Sequence, residues 1–330
     1  MAPGPPTRRG APRARRAPPA AVPALLLLAL ALAGCTAPAP SPDGGASPGG
    51  HGGHVTGPLA PSALDRSVDG LPASQPMGEA RLEPGAPFAL AAAPVAHDPG
   101  LGHPIRMFAY NGQLPGPVLR AAQGARVEVA FTNHLPVPTT VHWHGIRLAP
   151  EHDGVPGLSQ DPVPPGGSFR YVLDLPDEGA YWYHAHVRED LQQELGLAGL
   201  LLVEGPDHGE GPREVPLVLD DLLVQGRDVA PFGEAANRAL MGRYGNLLMA
   251  NGGSSWQGEA QPGERVRLVL VNAANARPLR LWLDGAAKAE WVGIDGGFFD
   301  APRPWPGALV LAPAERAVVD VVMPASRALW

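Results

Sequence analysis

Cysteine is almost missing from this chain of 330 residues: Cys35 is the only one. That excludes an intrachain disulfide, and because Cys35 stands at the end of an export-type segment, it leaves no thiolate for a site inside a folded domain. Histidine stops at His208, so no residue beyond it can bind a metal through imidazole. Lysine is reduced to Lys288 beside 24 arginines, which together with abundant alanine reads as the coding bias of a GC-rich genome. Positive charge is scarce as well. When Arg8, Arg9, Arg13, Arg15 and Arg16 are set aside with the leader, 25 basic residues fall to 20 against 32 acidic ones, an excess of twelve negative charges that excludes nucleic acid as a natural partner. The one long apolar run, "LLLLALALAG", is too short to cross a bilayer as a helix of about 20 residues.

What the N-terminus has is an order of parts: five arginines, the apolar run, then "LAGC". This is the charged, hydrophobic and cleavage-site order of an export signal. "LAGC" resembles the lipobox of bacterial lipoproteins, which implies a signal peptide over residues 1–34 and a lipidated Cys35 as the mature N-terminus. The expected location is the periplasm or cell envelope of a bacterium, with membrane contact only through the lipid. Residues 35–81 are rich in proline and glycine and carry no periodicity, so they read as a disordered tether. Its "HGGH" (His51, His54) reads as solvated linker histidines.

Beyond residue 81 the chain breaks into short alternating apolar runs punctuated by Gly, Pro and Asn, the pattern of a β-sandwich or barrel. The pattern occurs twice. "QGARVEVAFTNHLPVPTTVHWHG" (123–145) aligns without a gap on "PGERVRLVLVNAANARPLRLWLD" (262–284), matching Asn133 with Asn272 and Trp143 with Trp282. The expected organisation is an all-β pair of domains, 82–205 and 214–330, joined by a polar linker over 206–213. In this alignment Trp143 and Trp282 fill equivalent cores, while His142 and His144 of copy one face Leu281 and Leu283 of copy two. Copy two stops shortly after Pro324, where copy one continues through "DEGAYWYHAHVREDLQQELGLAGLLLVEG", which supplies its last strands. An unpaired sheet edge is therefore expected there.

Two pairs of histidines carry the chemistry. His142 and His144 in "VHWHG", and His184 and His186 in "YWYHAH", each stand at i and i+2 on a strand, so both rings of a pair leave the same face. Four neutral imidazoles with no thiolate and no carboxylate cluster suit copper, zinc, iron or nickel; export and the pairing favour copper. Asp153, in "EHDGVPG", reads by itself as part of an ordinary Asp-Gly turn. His97, His103, His134, His152 and His208 read as surface groups. "VREDLQQELG" reads as a short helix with a solvated charged face.

From about Leu82 onward the segments "FAYNGQLPGPVLRAAQGARVEVAFTNHL", "HWHG", "DGVPGLSQDPVPPGGSF" and "YWYHAH" resemble the multicopper oxidases. That resemblance implies tandem cupredoxin-like Greek-key β-barrels, the second incomplete at its C-terminus. It implies that His142 serves a type 2 copper and His144, His184 and His186 the type 3 pair of a trinuclear cluster, and that Asp153 assists proton delivery. The family reaction couples one-electron oxidation of a small reducing substrate, a phenol or a metal ion, to reduction of O2 to water. The type 1 copper needs a cysteine, and the trinuclear cluster needs eight histidines, of which four are here. The expectation is therefore the first two barrels of a three-barrel, laccase-like oxidase, with the third supplied in cis or by a separate chain. The alternative is a non-catalytic, periplasmic copper-binding lipoprotein. Copper nitrite reductase fits less well, since its type 1 site also needs a cysteine inside a barrel. Six scattered methionines argue against Cu(I)-binding Met-rich segments, and the electron donor is left open.

Overall fold

The computed structural model describes residues 30–34, 65–206, 211–232 and 241–325. Cys35, most of the leader, most of the tether with its His51 and His54, and His208 lie outside the described residues. Strand β1 (Leu30–Gly34) comes first, followed by the strands of barrel one: β2 (Glu79–Arg81), β3 (Phe88–His97), β4 (Ile105–Tyr110), β5 (Val118–Ala122), β6 (Arg126–Asn133), β7 (Val141–His144), β8 (Ser168–Asp174), β9 (Gly179–Ala185) and β10 (Ala198–Glu204). Barrel two contains β11 (Arg213–Leu222), the small ribbon β12 (Val224–Gln225) and β13 (Asp228–Val229), β14 (Leu247–Ala250), β15 (Arg265–Asn272), β16 (Leu279–Leu283), β17 (Lys288–Ile294), β18 (Gly297–Pro304), β19 (Leu309–Leu311) and β20 (Arg316–Val322).

In barrel one a sheet of order β4-β3-β6-β8 faces one of order β2-β5-β10-β9-β7. The strict alternation of β6, "RVEVAFTN", sends Val127, Val129 and Phe131 inward, where they meet Tyr110, Trp143, Tyr171 and Tyr183 in one core. Barrel two repeats the first sheet as β14-β11-β15-β20 and extends it with the hairpin β17-β18. Asn111 and Asn251 mark the repeat. Both adopt positive φ, and each binds the neighbouring strand through its side chain, to Ala91 N–H and Ala89 O in one copy and to Val218 N–H and Pro216 O in the other.

The barrels pack sheet on sheet. The outer faces of β9, β10 and β5 (Ala180, Trp182, Leu200, Leu202, Val118) meet those of β11, β15, β17 and β20 (Val218, Val269, Val271, Val292, Val318) in a core of their own. All seven residues of β9 are buried as a result, because one face fills barrel one and the other fills the contact. Each such aliphatic side chain contributes on the order of 1.5–3 kcal/mol, so the two barrels form one packed body.

Three sequence expectations need correction. The tether ends earlier than residue 81: residues 65–81 lie on barrel one, with β2 parallel to β5, bridges from Ala73 and Gln75, and Arg106 bound to Asp65. Low apolar content misread a segment held by backbone pairing. The sheet edge expected to stand unpaired in copy two is covered at β16, where β1 runs antiparallel from Leu30↔Leu283 to Gly34↔Leu279 on the side opposite β19. The third concerns the repeat. Asn133 donates to Val137 O and Val163 O; Asn272 donates to Arg277 O and Leu311 O. The first acceptor is one residue further along in copy two, so the loop is longer by one and every later position shifts. Leu279 and Leu281 fill the core of barrel two, while Trp282 turns outward under the Arg280 guanidinium, 4.9 Å from its ring. A slip of one residue exchanges the faces of a strand, so the structural counterpart of His142 is Trp282. Pro138 and Pro278, which match only with the inserted residue, were the available clue.

Candidate metal centre

Strands β7 and β9 pair antiparallel with His142 opposite His184. The pleat sends Val141 and Trp143 of β7, and Tyr181, Tyr183 and Ala185 of β9, into the core of barrel one. His142, His144 and His184 therefore leave from the other face, and His186 joins them just past the end of β9. Ring centroids of His142 lie 5.5 Å from His144, 5.3 Å from His184 and 5.2 Å from His186. The ligating nitrogens of His142, His144 and His184 all fall within 4.8 Å of one another. His184 Nε2 and His144 Nδ1 are 3.5 Å apart, at the outer limit for a hydrogen bond but suited to two ligands of one ion at about 2 Å each.

The rings are oriented by their other nitrogens. His142 Nδ1–H donates to the Asp153 carbonyl at 2.7 Å, with the Asp153 carboxylate at 3.3 Å. His184 Nδ1 reaches the Ala185 carbonyl at 3.0 Å and His186 Nδ1 the Glu189 carboxylate at 2.8 Å. In all three, Nε2 is left for a metal, and such outer partners fix tautomer and ring angle. Trp182 stacks on His184 at 4.2 Å and 24°.

Burial disfavours the charged imidazolium and depresses three of the four rings. His184 falls well below the usual histidine value. His144 falls to about 4, first through burial and then through the Arg316 guanidinium, and His142 is lowered by burial. His186 is raised, because Glu189 accepts its proton in a hydrogen bond. Three rings are thus neutral and ready to donate at neutral pH without losing a proton.

Two glycines are needed by position. Gly154 has φ +78°, and a Cβ there would stand 1.9 Å from Val141 O, so the Asp153 turn can lie flat on β7. Gly145, at φ +88°, leaves room for Arg316 of barrel two, whose Nη2 would be 2.6 Å from an added Cβ. Barrel two also lines the pocket, with Ala274, Asn275, Pro313 and Ala314 beside the histidines.

All five residues expected from the sequence meet here. Asp153 does so chiefly through its backbone carbonyl. Glu189, Arg316 and Asn275 were missed. The spacing His186–Glu189 (i, i+3) was a usable signal for the first, whereas Arg316 and Asn275 come from the other barrel and carry none. The charged turn is solvated only on one side: Asp190 is exposed and Arg188 and Glu189 half-buried, whereas Glu194 is buried with Gln192 and Gln193. Of the histidines read as surface groups, His97 bridges Ser74 Oγ and Gly252 O, and His103 contacts Arg227 O; both fasten barrel to barrel.

Paired β-barrels with an all-imidazole cluster on the inner strands define the class, a tandem cupredoxin-like protein with a candidate metal centre. A family model described as "Multicopper oxidase" matches residues 95–208. The multicopper oxidase MmcO of Mycobacterium tuberculosis is 32% identical over 216 residues, 56% of this chain and 42% of that protein. Copper resistance protein A of Pseudomonas syringae pv. tomato is 43% identical over 99 residues, 30% of this chain and 16% of that one. The crystal structure of a multicopper oxidase from Pseudomonas thermotolerans superposes with a TM-score of 0.65 at 35% identity, over 75% of this chain and 59% of that chain. Over residues 95–208 the chain matches the multicopper oxidase family, and it spans less than half the length of both curated relatives.

Proposed function

We propose that this chain is the copper-binding, oxygen-reducing half of a laccase-like oxidoreductase. His142 serves a type 2 copper and His144, His184 and His186 a type 3 pair. The donor set fits the metal: neutral imidazoles, with the Nδ1 atoms of three rings already bound elsewhere. Copper bound there supplies one-electron chemistry that ends in reduction of O2 to water. The chain's own part is to hold three of the rings neutral, exclude water with Trp182, and pass protons. The Asp153 carboxylate, a third exposed beside His142, is placed to take a proton from solvent and hold it near the site.

The remaining four imidazoles and a type 1 copper with its cysteine belong to a further barrel, in cis or in trans, and the electrons come from a small reducing substrate. The leader and "LAGC" support export as a lipoprotein, and cleavage before Cys35 would remove β1 and leave β16 to pair with another strand. The observation that carries the reading is the meeting of four imidazoles across the β7–β9 pair.

The test is copper content and oxygen uptake of the purified chain. The chain is expected to bind copper, to lose it in His142→Ala with His184→Ala, and alone to show no intense blue thiolate band and negligible oxygen consumption with phenols. Unchanged copper in that double variant, or a blue, oxygen-consuming preparation of these residues alone, would sink the assignment. The non-catalytic copper-binding lipoprotein is the second reading. It is favoured if added cupredoxin domains carrying the missing ligands never restore oxygen uptake.

A further inference from the structure

The turn that follows the second histidine pair belongs by sequence to barrel one, but barrel two holds it. The short helix α1 (Glu189–Gln192) carries Glu189, whose carboxylate sits 2.8 Å from His186 Nδ1. From barrel two, Asn275 Nδ2 donates to Asp190 O at 3.3 Å and to Glu194 Oε2 at 3.1 Å. Glu194 is buried and takes Arg243 Nε at 2.6 Å and Leu223 N–H at 3.0 Å. Arg243 is fixed in turn by the carbonyls of Ala230 and Pro231 and lies over the Phe232 ring at 4.2 Å. Gln193 Nε2 donates to Ala273 O at 2.7 Å. Asn275 itself lines the pocket with the histidines.

This arrangement goes beyond binding the two barrels together. Hydrophobic contact already does that over the shared core, and a buried ion pair is a poor source of net stability because desolvation offsets most of the attraction. A directional network attached to one turn fixes position instead. His186 is the one ligand outside the strand ladder, so the β-sheet cannot set its ring, and its orientation depends on Glu189.

We propose that Asn275, backed by the Arg243–Glu194 pair, is a positioning residue for the metal centre: barrel two sets the placement of His186 by holding the turn that carries Glu189. The inference rests on the copper reading above and deepens it, since it gives the ligand-free barrel a role in the site. The Asn275 side chain touches no reacting atom. It acts through α1, Glu189 and His186.

The test is a cycle of variants in the full chain, with Cu(II) alone as the probe and affinity read by chelator competition. Removing the group that orients a ligating histidine weakens metal binding about 10-fold or more, and loss of Asn275 releases the turn that holds this group. Asn275→Ala should therefore bind Cu(II) about 10-fold more weakly while unfolding at nearly the same temperature. In the His186→Ala background the same substitution should change affinity by less than about 2-fold, because the two act in series. In the His142→Ala background the loss of about 10-fold should persist. Asn275→Asp keeps the shape but turns a donor towards Glu194 into a repelling carboxylate, and should weaken Cu(II) at least as much. Unchanged affinity in both Asn275 variants, or a loss undiminished by His186→Ala, overturns the positioning role while leaving the copper assignment standing. A His186→Ala variant with wild-type Cu(II) affinity overturns both.

Discussion

The same tryptophan-bearing strand occurs in each barrel and lands in opposite orientations. In β7, Trp143 is fully buried between Tyr171 and Tyr183, and the histidines face outward. In β16 Leu279 and Leu281 are buried and Trp282 lies outside against Arg280. One extra residue between Asn272 and Pro278 separates the two outcomes. Identity between repeats therefore does not identify equivalent environments. The asymmetry of function follows from it: barrel one exposes a polar face that can hold metal, and barrel two spends the same strand on its core while its sheet supports the neighbour.

The sharpest way to break this comparison is a matched pair of truncations. Trp143→Ala should cost about 3–5 kcal/mol in denaturant unfolding and Trp282→Ala less than about 1 kcal/mol. Equal losses would restore the gapless alignment and remove the register argument. Next in size, Leu281→His should destabilise by about 2–4 kcal/mol, since it places an imidazole in an apolar core, without gaining copper. A Leu281→His protein that binds an additional copper ion at little cost in stability would show that the strand faces outward after all. Gly145→Ala should follow at about 1–3 kcal/mol, from the left-handed backbone and the contact with Arg316. It should also loosen the barrel contact, which limited proteolysis can detect, whereas Gly263→Ala, open in space, should pay only the backbone strain.

The smallest effect is one of pH on the metal-free chain. A histidine whose folded value is depressed contributes stability that is present above its unfolded value near 6.5 and is lost as pH falls through the folded value. His142, His144 and His184 are all of this kind and all in barrel one, so barrel one weakens as pH drops from about 6.5 towards 4. His186, raised by Glu189, opposes this: its contribution is complete below 6.5 and fades as pH rises through its higher value. In barrel two the Asp220 carboxyl is raised by burial and by Asp221, so its contribution is present in acid and lost as pH rises from about 4. Hydrogen exchange on backbone amides of β7 and β9 against those of β11 should show these opposite trends. Parallel trends in both barrels would contradict the assignment of the shifts to these groups.

The repeat, the all-β architecture and the four histidines were legible because period-two alternation and the HxH spacing are local properties of a strand. What lay beyond reading came from contacts distant in sequence. The order of residues 65–81 rests on pairing with β5, and the burial of Glu194 rests on Arg243. The proline and glycine content of the first segment and the charges of the second point towards solvent, because composition carries no information about what a backbone or a carboxylate will meet.

By itself the sequence determined which residues can ligate, since side-chain chemistry and an i, i+2 spacing on a strand already bring two imidazoles to one face. Only the tertiary structure decided that β7 and β9 lie side by side with His142 opposite His184, that the second barrel turns its tryptophan away, and that this barrel supplies Asn275 and Arg316 to the first. The reason is physical. The direction of a side chain is set by local backbone geometry, whereas its neighbours are set by pairing and packing between segments that chain order leaves far apart.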